Sequence, residues 1–149
     1  MHIPEPIYKD IIAFLPILCV DLLILHENRC LLLRRTNEPA LGQYWFPGGR
    51  VHKYEKLVDA TARIAKEETG LSCNFREIVS VEETIFLRNE SRTLEGDKHT
   101  INICCKMKLT SAPDIVRLDT YHDAFKWVNR IDLDFHEAVR HPLSLTGFR

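Results

Sequence analysis

The chain has 149 residues, with 20 Lys and Arg against 21 Asp and Glu, for a formal net charge of −1. That length suffices for one domain, 1–149, with a sizeable core. Charges of both signs are mixed along it, which excludes a general electrostatic grip on nucleic acid or on an anionic membrane and leaves room only for a local basic site.

In chain order, the first expectation is an N-terminal segment, 1–16, with a short helix around 8–15 that stops at Pro16, because the residue before a proline avoids the helical region. The run "IIAFLPILCVDLLIL" (11–25) is the one stretch greasy enough to suggest a membrane. It is short for a span, holds Pro16 and Asp21, and has neither a basic flank nor a small-residue cleavage site. Its second half, 17–25, reads as a buried strand, paired through the turn "HENR" with a strand over 30–35. The loop "TNEPALGQ", the short apolar segment "YWF" and the turn "PGG" follow. A helix is expected from 54 to 69, closed by Gly70 as a left-handed cap. Strands are expected over 75–85 and 99–109, separated by the polar loop "RNESRTLEGD", then a short strand "AFKWV" and a last helix over 134–140, ahead of Pro142. Helices and strands mix without regular β-α-β alternation, which favours an α+β or mixed α/β sandwich over a doubly wound sheet. The five cysteines show no C-x-x-C spacing, and free thiols buried in a reducing cytosol are the simplest reading. The expectation is a soluble, cytoplasmic protein with no nucleic-acid or membrane partner.

The helix over 54–69 carries the chemistry. At about 100° per residue, Lys56, Asp59, Arg63 and Lys66 share a solvated face, while Leu57, Ala60, Thr61 and Ile64 lie opposite. Glu68 falls on the apolar side and Glu67 on its edge. Acidic residues on helices are ordinarily a solvated run, but a carboxylate aimed inward costs several kcal/mol or so unless something positive meets it. Arg63 and Glu67 stand four apart and are expected to pair. Ahead of the helix, "PGG" opens main-chain groups to a ligand, and Arg50 follows at once. A glycine turn, an arginine and inward carboxylates make a place to hold Mg²⁺ between protein and phosphate oxygens.

These residues resemble the Nudix hydrolases, whose pattern is G-x5-E-x7-R-E-U-x-E-E-x-G-U, U being a bulky apolar residue. Gly49, Glu55, Arg63, Glu67, Glu68, Gly70 and Leu71 occupy its positions, while Ile64 replaces the first Glu after the Arg and Ala65 the bulky residue. The stretch "RRTNEPALGQYWFPGGRV" and the segment "YHDAFKWV" are similar to the GDP-mannose mannosyl hydrolase branch, which has lost the same Glu. The resemblance covers about 17–135. It implies an α/β/α sandwich around a mixed sheet and Mg²⁺ (or Mn²⁺) as cofactor. It also implies hydrolysis of a nucleoside diphosphate sugar at the anomeric carbon, releasing an intact nucleoside diphosphate. Carried over position by position, it makes Glu68, Glu67 and the Gly48 carbonyl the metal-binding groups. Arg35 and Arg50 brace the diphosphate, His122 is the general base, and Asp21 orients the sugar. Gly49, Glu55, Arg63 and Gly70 are scaffold. It further implies a homodimer with the N-terminal segments at the interface.

Two departures bear on the substrate. Tyr121 stands where that branch often has a metal-binding Gln, and 72–98 holds no counterpart of its loop histidine. Each assignment also has a plainer alternative: Arg35 as a strand-end arginine, His122 as a residue of a polar turn, Asp21 partnered by an amide or an arginine. Three readings therefore stand: a nucleotide-sugar hydrolase cutting C–O, a Nudix pyrophosphohydrolase cutting P–O, and a catalytically inactive nucleotide-binding module. The base is left open, with Tyr44, Trp45 and Phe46 as stacking candidates, although core packing suits Trp45 and Phe46 better.

Overall fold

The computed structural model describes residues 2–90 and 96–149. The order is α1 (Glu5–Phe14), β1 (Ile17–His26), β2 (Arg29–Arg35), β3 (Tyr44–Trp45), β4 (Gly48–Arg50), α2 (Leu57–Thr69), β5 (Cys73–Phe86), β6 (Lys98–Leu109), β7 (His122–Val128) and α3 (Glu137–Leu145), with one 3₁₀ turn at Arg88–Glu90. Part of the polar loop expected at 88–97 lies outside the described residues.

The seven strands form one mixed sheet. β1 runs parallel to β6 along one edge, and β5 continues antiparallel beyond β6. On its other edge, β1 meets β2 at Leu25↔Cys30 and His26↔Arg29, next to their turn. The two strands then splay, and the segment 44–50 enters as a wedge. β3 pairs with β2 (Leu33↔Trp45), and β4 pairs with β1 (Asp21↔Gly48). β7 covers the outer edge of β2.

β1 is buried from Val20 through Ile24, the continuous apolar pattern of a strand covered on both faces. Val20, Leu22 and Ile24 pack with Ile64 and Ala65 of α2, while Leu23 packs with Val139 and Leu143 of α3. One helix on each face makes the three-layer α/β/α sandwich expected from the sequence.

Several boundaries differ from expectation, each for a local reason. α1 begins at Glu5, because Pro6 falls in the first turn, where a missing N–H costs nothing. α2 begins at Leu57, because Tyr54 has φ +68° and no helix passes through it. The "PGG" glycines do not turn the chain; they form most of β4. Gly48 is required by proximity, since a Cβ there would collide with the Asp21 carboxylate and the Val20 carbonyl. Gly70 does take the left-handed cap, at φ +72°. The last strand starts two residues earlier than "AFKWV", so His122 belongs to β7 and not to a turn. α3 starts later and runs through Pro142, which is buried beside Val139 and Leu143. The apolar stripe of this helix outweighs the lost N–H.

α1 buries none of its residues, and Ile7, Phe14 and Leu15 are exposed around it. Among the described residues, no helix is long and apolar enough to cross a membrane. All five cysteines are free, four of them buried and Cys19 partly so.

Candidate active site

Where β1 and β2 splay, the wedge, the far ends of β2 and β7, and the last turn of α2 converge. A cavity of about 290 Å³ opens there, lined by Asp21, Arg35, Gly48, Gly49 and His122 among others. Trp45, Phe46 and Phe86 give it aromatic walls, and Tyr8 of α1 lines it too.

Glu68, Asp119 and Arg50 do not line the cavity itself; the last turn of α2 brings Glu68 against Gly48 at its border. Glu68 Oε2 accepts the Gly48 N–H at 2.9 Å. Burial, with the charge of Asp119 adding to it, pushes the carboxyl up to about 8 against the pull of the Gly48 N–H and Arg35. One turn earlier, Ile64 occupies the inward position and is 2 % exposed, so hydrocarbon stands where a second carboxylate would face the same region. A Cβ on Gly49 would lie 3.5 Å from Ile64 Cδ1 and 3.9 Å from Glu68 Oε1, so this residue seats α2 against β4.

His122 and Arg35 are brought side by side by the irregular pairing of β2 with β7, where the register shifts between Arg34 and Arg35. His122 Nδ1 lies 2.6 Å from Asp119 Oδ1. A carboxylate accepts, so the ring donates from Nδ1 and leaves Nε2 as its basic nitrogen. Asp119 was not among the residues singled out from the sequence; its signal was an acid three residues ahead of a histidine that opens a strand. Glu68, Asp119 and His122 offer donor atoms within 4.8 Å of one another. Two converging carboxylates, with Glu68 poorly solvated, fit a divalent cation, and the basic nitrogen of the imidazole stands beside them.

Arg35 is held by its own loop. Nε donates to the Pro39 carbonyl at 2.7 Å and Nη2 to Asn37 Oδ1 at 3.3 Å. Burial pulls its pKa down, while Glu68 and Asp21 pull it back. Asp21 is 3 % exposed and accepts from Asn102 Nδ2 at 3.0 Å. Burial pushes it up to about 7, despite that bond and one from the Trp45 indole. Arg50 points towards α1, its guanidinium carbon 5.3 Å from the centre of the Tyr8 ring. Tyr121 is exposed.

Glu67 is not brought into this group. Arg63 Nη1 binds it at 3.0 Å, and the same guanidinium grips Glu55 through Nε at 2.6 Å and Nη2 at 2.9 Å, and the Arg50 carbonyl at 3.0 Å. Glu55 also accepts the His52 N–H. These bonds tie the loop after β4 to α2 and hold the Glu55 carboxyl down to about 2, the Arg63 contact being the largest cause. A depressed carboxyl stabilises the fold in full above its unfolded value and loses that contribution as pH falls towards its folded one. Between pH 4.5 and 2, wild-type protein is therefore expected to lose Tm more steeply than Glu55→Gln, the gap between the two closing in acid, as read by thermal unfolding.

The family model described as the NUDIX domain matches residues 16–145. A protein of Haloferax volcanii, "Low-salt glycan biosynthesis protein Agl8", is 34% identical over 125 residues, which is 84% of this chain and 78% of that protein. An ADP-ribose pyrophosphatase of Methanocaldococcus jannaschii is 38% identical over 66 residues, 44% of this chain and 39% of that protein. Among solved structures, a MutT NUDIX hydrolase from Burkholderia pseudomallei superposes with a TM-score of 0.69 at 20% identity, covering 88% of this chain and 98% of that one.

Proposed function

Because this chain belongs to the Nudix family of hydrolases, we propose that it is a Mg²⁺-dependent hydrolase of a nucleoside diphosphate sugar, GDP-mannose-like, that cuts the C–O bond at the anomeric carbon. The observation that carries this reading is the last turn of α2, where Glu68 faces Gly48 while Ile64 fills the inward position one turn before. Such a helix supports one firmly held ion, and one ion suits a reaction whose leaving group is the diphosphate. The relative named for glycan biosynthesis supports a sugar-bearing substrate.

Mg²⁺, or Mn²⁺, held by Glu68 and the Gly48 carbonyl would neutralise charge on the departing diphosphate. Arg35 and Arg50 brace its oxygens with planar donors. His122, oriented through Nδ1 by Asp119, takes the proton of the attacking water at Nε2. Asp21 orients the sugar. Glu55, Arg63, Gly49 and Gly70 hold loop and helix in register, and Glu67 keeps Arg63 in place beside the metal-binding turn. The exposed apolar residues of α1 support a homodimer joined through the N-terminal segments, and the thiol-rich interior supports a cytoplasmic enzyme.

One observation favours a second reading. Asp119 adds a carboxylate beside Glu68, so the site offers more negative charge than one ion on Glu68 alone requires, which favours a P–O-cutting pyrophosphohydrolase. Hydrolysis in water enriched in heavy oxygen separates the two. Label is expected in the released sugar; label in a phosphate would overturn the C–O assignment.

A further inference from the structure

One wall of the cavity is polar across three neighbouring strands. Thr84 of β5 and Thr100 of β6 are directly opposed, and Asn102 follows on the same face of β6. Asp21 of β1 completes a stripe across three strands, and all four residues line the cavity. Thr84, Asn102 and Asp21 are buried, at 5 %, 7 % and 3 % exposure.

The bonds along this stripe have one consistent direction. Asn102 Nδ2 donates to Asp21 Oδ2, so its Oδ1 faces Thr100. A carbonyl oxygen only accepts, hence the Thr100 hydroxyl donates to it, at 2.5 Å. With its hydrogen committed, Thr100 must accept from Thr84, whose Oγ1 lies 2.5 Å away. The Thr84 oxygen thus keeps lone pairs and Asn102 a second N–H beyond the bonds of this stripe, and both residues line the cavity. Valines and leucines would fill these positions with less desolvation. A line of hydrogen-bonded polar groups inside a core holds one arrangement rigidly, and here that arrangement borders a cavity of about 290 Å³.

We propose that Thr84, Thr100 and Asn102 form a specificity wall that recognises the hydroxyl groups of a sugar joined to a nucleoside diphosphate and positions Asp21 against it. This rests on the nucleotide-sugar reading above. Thr100 is the pivot, since its hydroxyl is both the donor that fixes the amide and the acceptor that orients Thr84.

The test is equilibrium binding by calorimetry, with Ca²⁺ replacing Mg²⁺ to limit turnover. GDP-mannose and ADP-glucose serve as probes, against GDP and ADP. Wild-type protein should bind one of the sugar-bearing ligands roughly tenfold or more tighter than its bare diphosphate, the scale of one or two well-made hydrogen bonds. Thr100→Val should bring that ratio close to one while leaving affinity for the bare diphosphate unchanged, and Thr100→Ser should restore it. Thr84→Val, which removes only the head of the chain, provides a second variant should Thr100→Val fold poorly. An unchanged ratio in both valine variants, equal weakening of both ligand types, or no sugar preference in wild type would overturn the proposal. Failure of the nucleotide-sugar hydrolase reading registers elsewhere, as absent turnover with Mg²⁺ or as label in phosphate.

Discussion

Replacing Glu68 by Gln is expected to lower turnover by about 10³-fold or more while leaving the fold in place. The amide oxygen of Gln can still accept the Gly48 N–H that Glu68 accepts at 2.9 Å, so the contact between α2 and β4 survives. What is lost is a charged ligand at the head of the site. The stability response makes the test sharper. Burial raises the Glu68 carboxyl to about 8, so the folded state binds its proton more tightly than the unfolded chain does. The stability this proton supports is present in full below the unfolded value of 4.5 and is lost as pH rises through 8. In metal-free buffer at pH 8, Glu68→Gln should therefore melt no lower than wild type. Added Mg²⁺ or Mn²⁺ should raise the Tm of wild type and not of the variant. Wild-type-like turnover, or an undiminished rise in Tm with the metal, would remove Glu68 from the role assigned to it.

The second large effect belongs to the His122–Asp119 pair. Removing a positioned general base costs about 10² to 10⁴ in rate. His122→Gln keeps a polar side chain of similar reach in a site where the wild-type side chain is 5% exposed, so the expected loss is in kcat, with nucleoside diphosphate affinity retained. Asp119→Asn keeps the volume but offers an amide that can present either a donor or an acceptor to Nδ1. The ring then loses its fixed tautomer, and kcat should fall by about 10²-fold. Steady-state kinetics with the nucleotide sugar, paired with diphosphate binding, checks both variants. Full kcat in His122→Gln would assign water activation to another group.

How much of this was legible beforehand depended on the range of the interaction. α2 announced itself through its apolar stripe and its closing glycine, which are local and periodic. β1 and β2 were visible as apolar runs around a polar turn. The splay between them was not, because it is decided by where 44–50 inserts, and neither β3 nor β4 is long enough to carry a period of its own. The passage of α3 through Pro142 is hidden in the sequence because a proline there reads as punctuation, and only the core beneath it shows why the helix continues. Around the cavity, Asp21, Arg35, Gly48 and His122 are legible through a resemblance that follows chain order, while Glu68 at its border is legible already from its inward place on the helix. Thr84, Thr100 and Asn102 could be found only after the sheet had been assembled, whereas Asp119 leaves a local trace, an acid three residues ahead of a histidine. Threonine and asparagine in a strand look like surface residues until the neighbouring strands close over them.

The forked sheet also separates what must stay constant from what can change. The gap between β1 and β2 is propped open by main-chain bonds, Leu22 N–H to the Pro47 carbonyl at 2.8 Å on one side and Arg35 N–H to the Gln43 carbonyl at 3.0 Å on the other. Neither prop depends on the identity of a side chain. The frame can thus keep its width while the residues facing the gap are exchanged, and an ancestral chain could be refitted to new cargo without rebuilding the chassis.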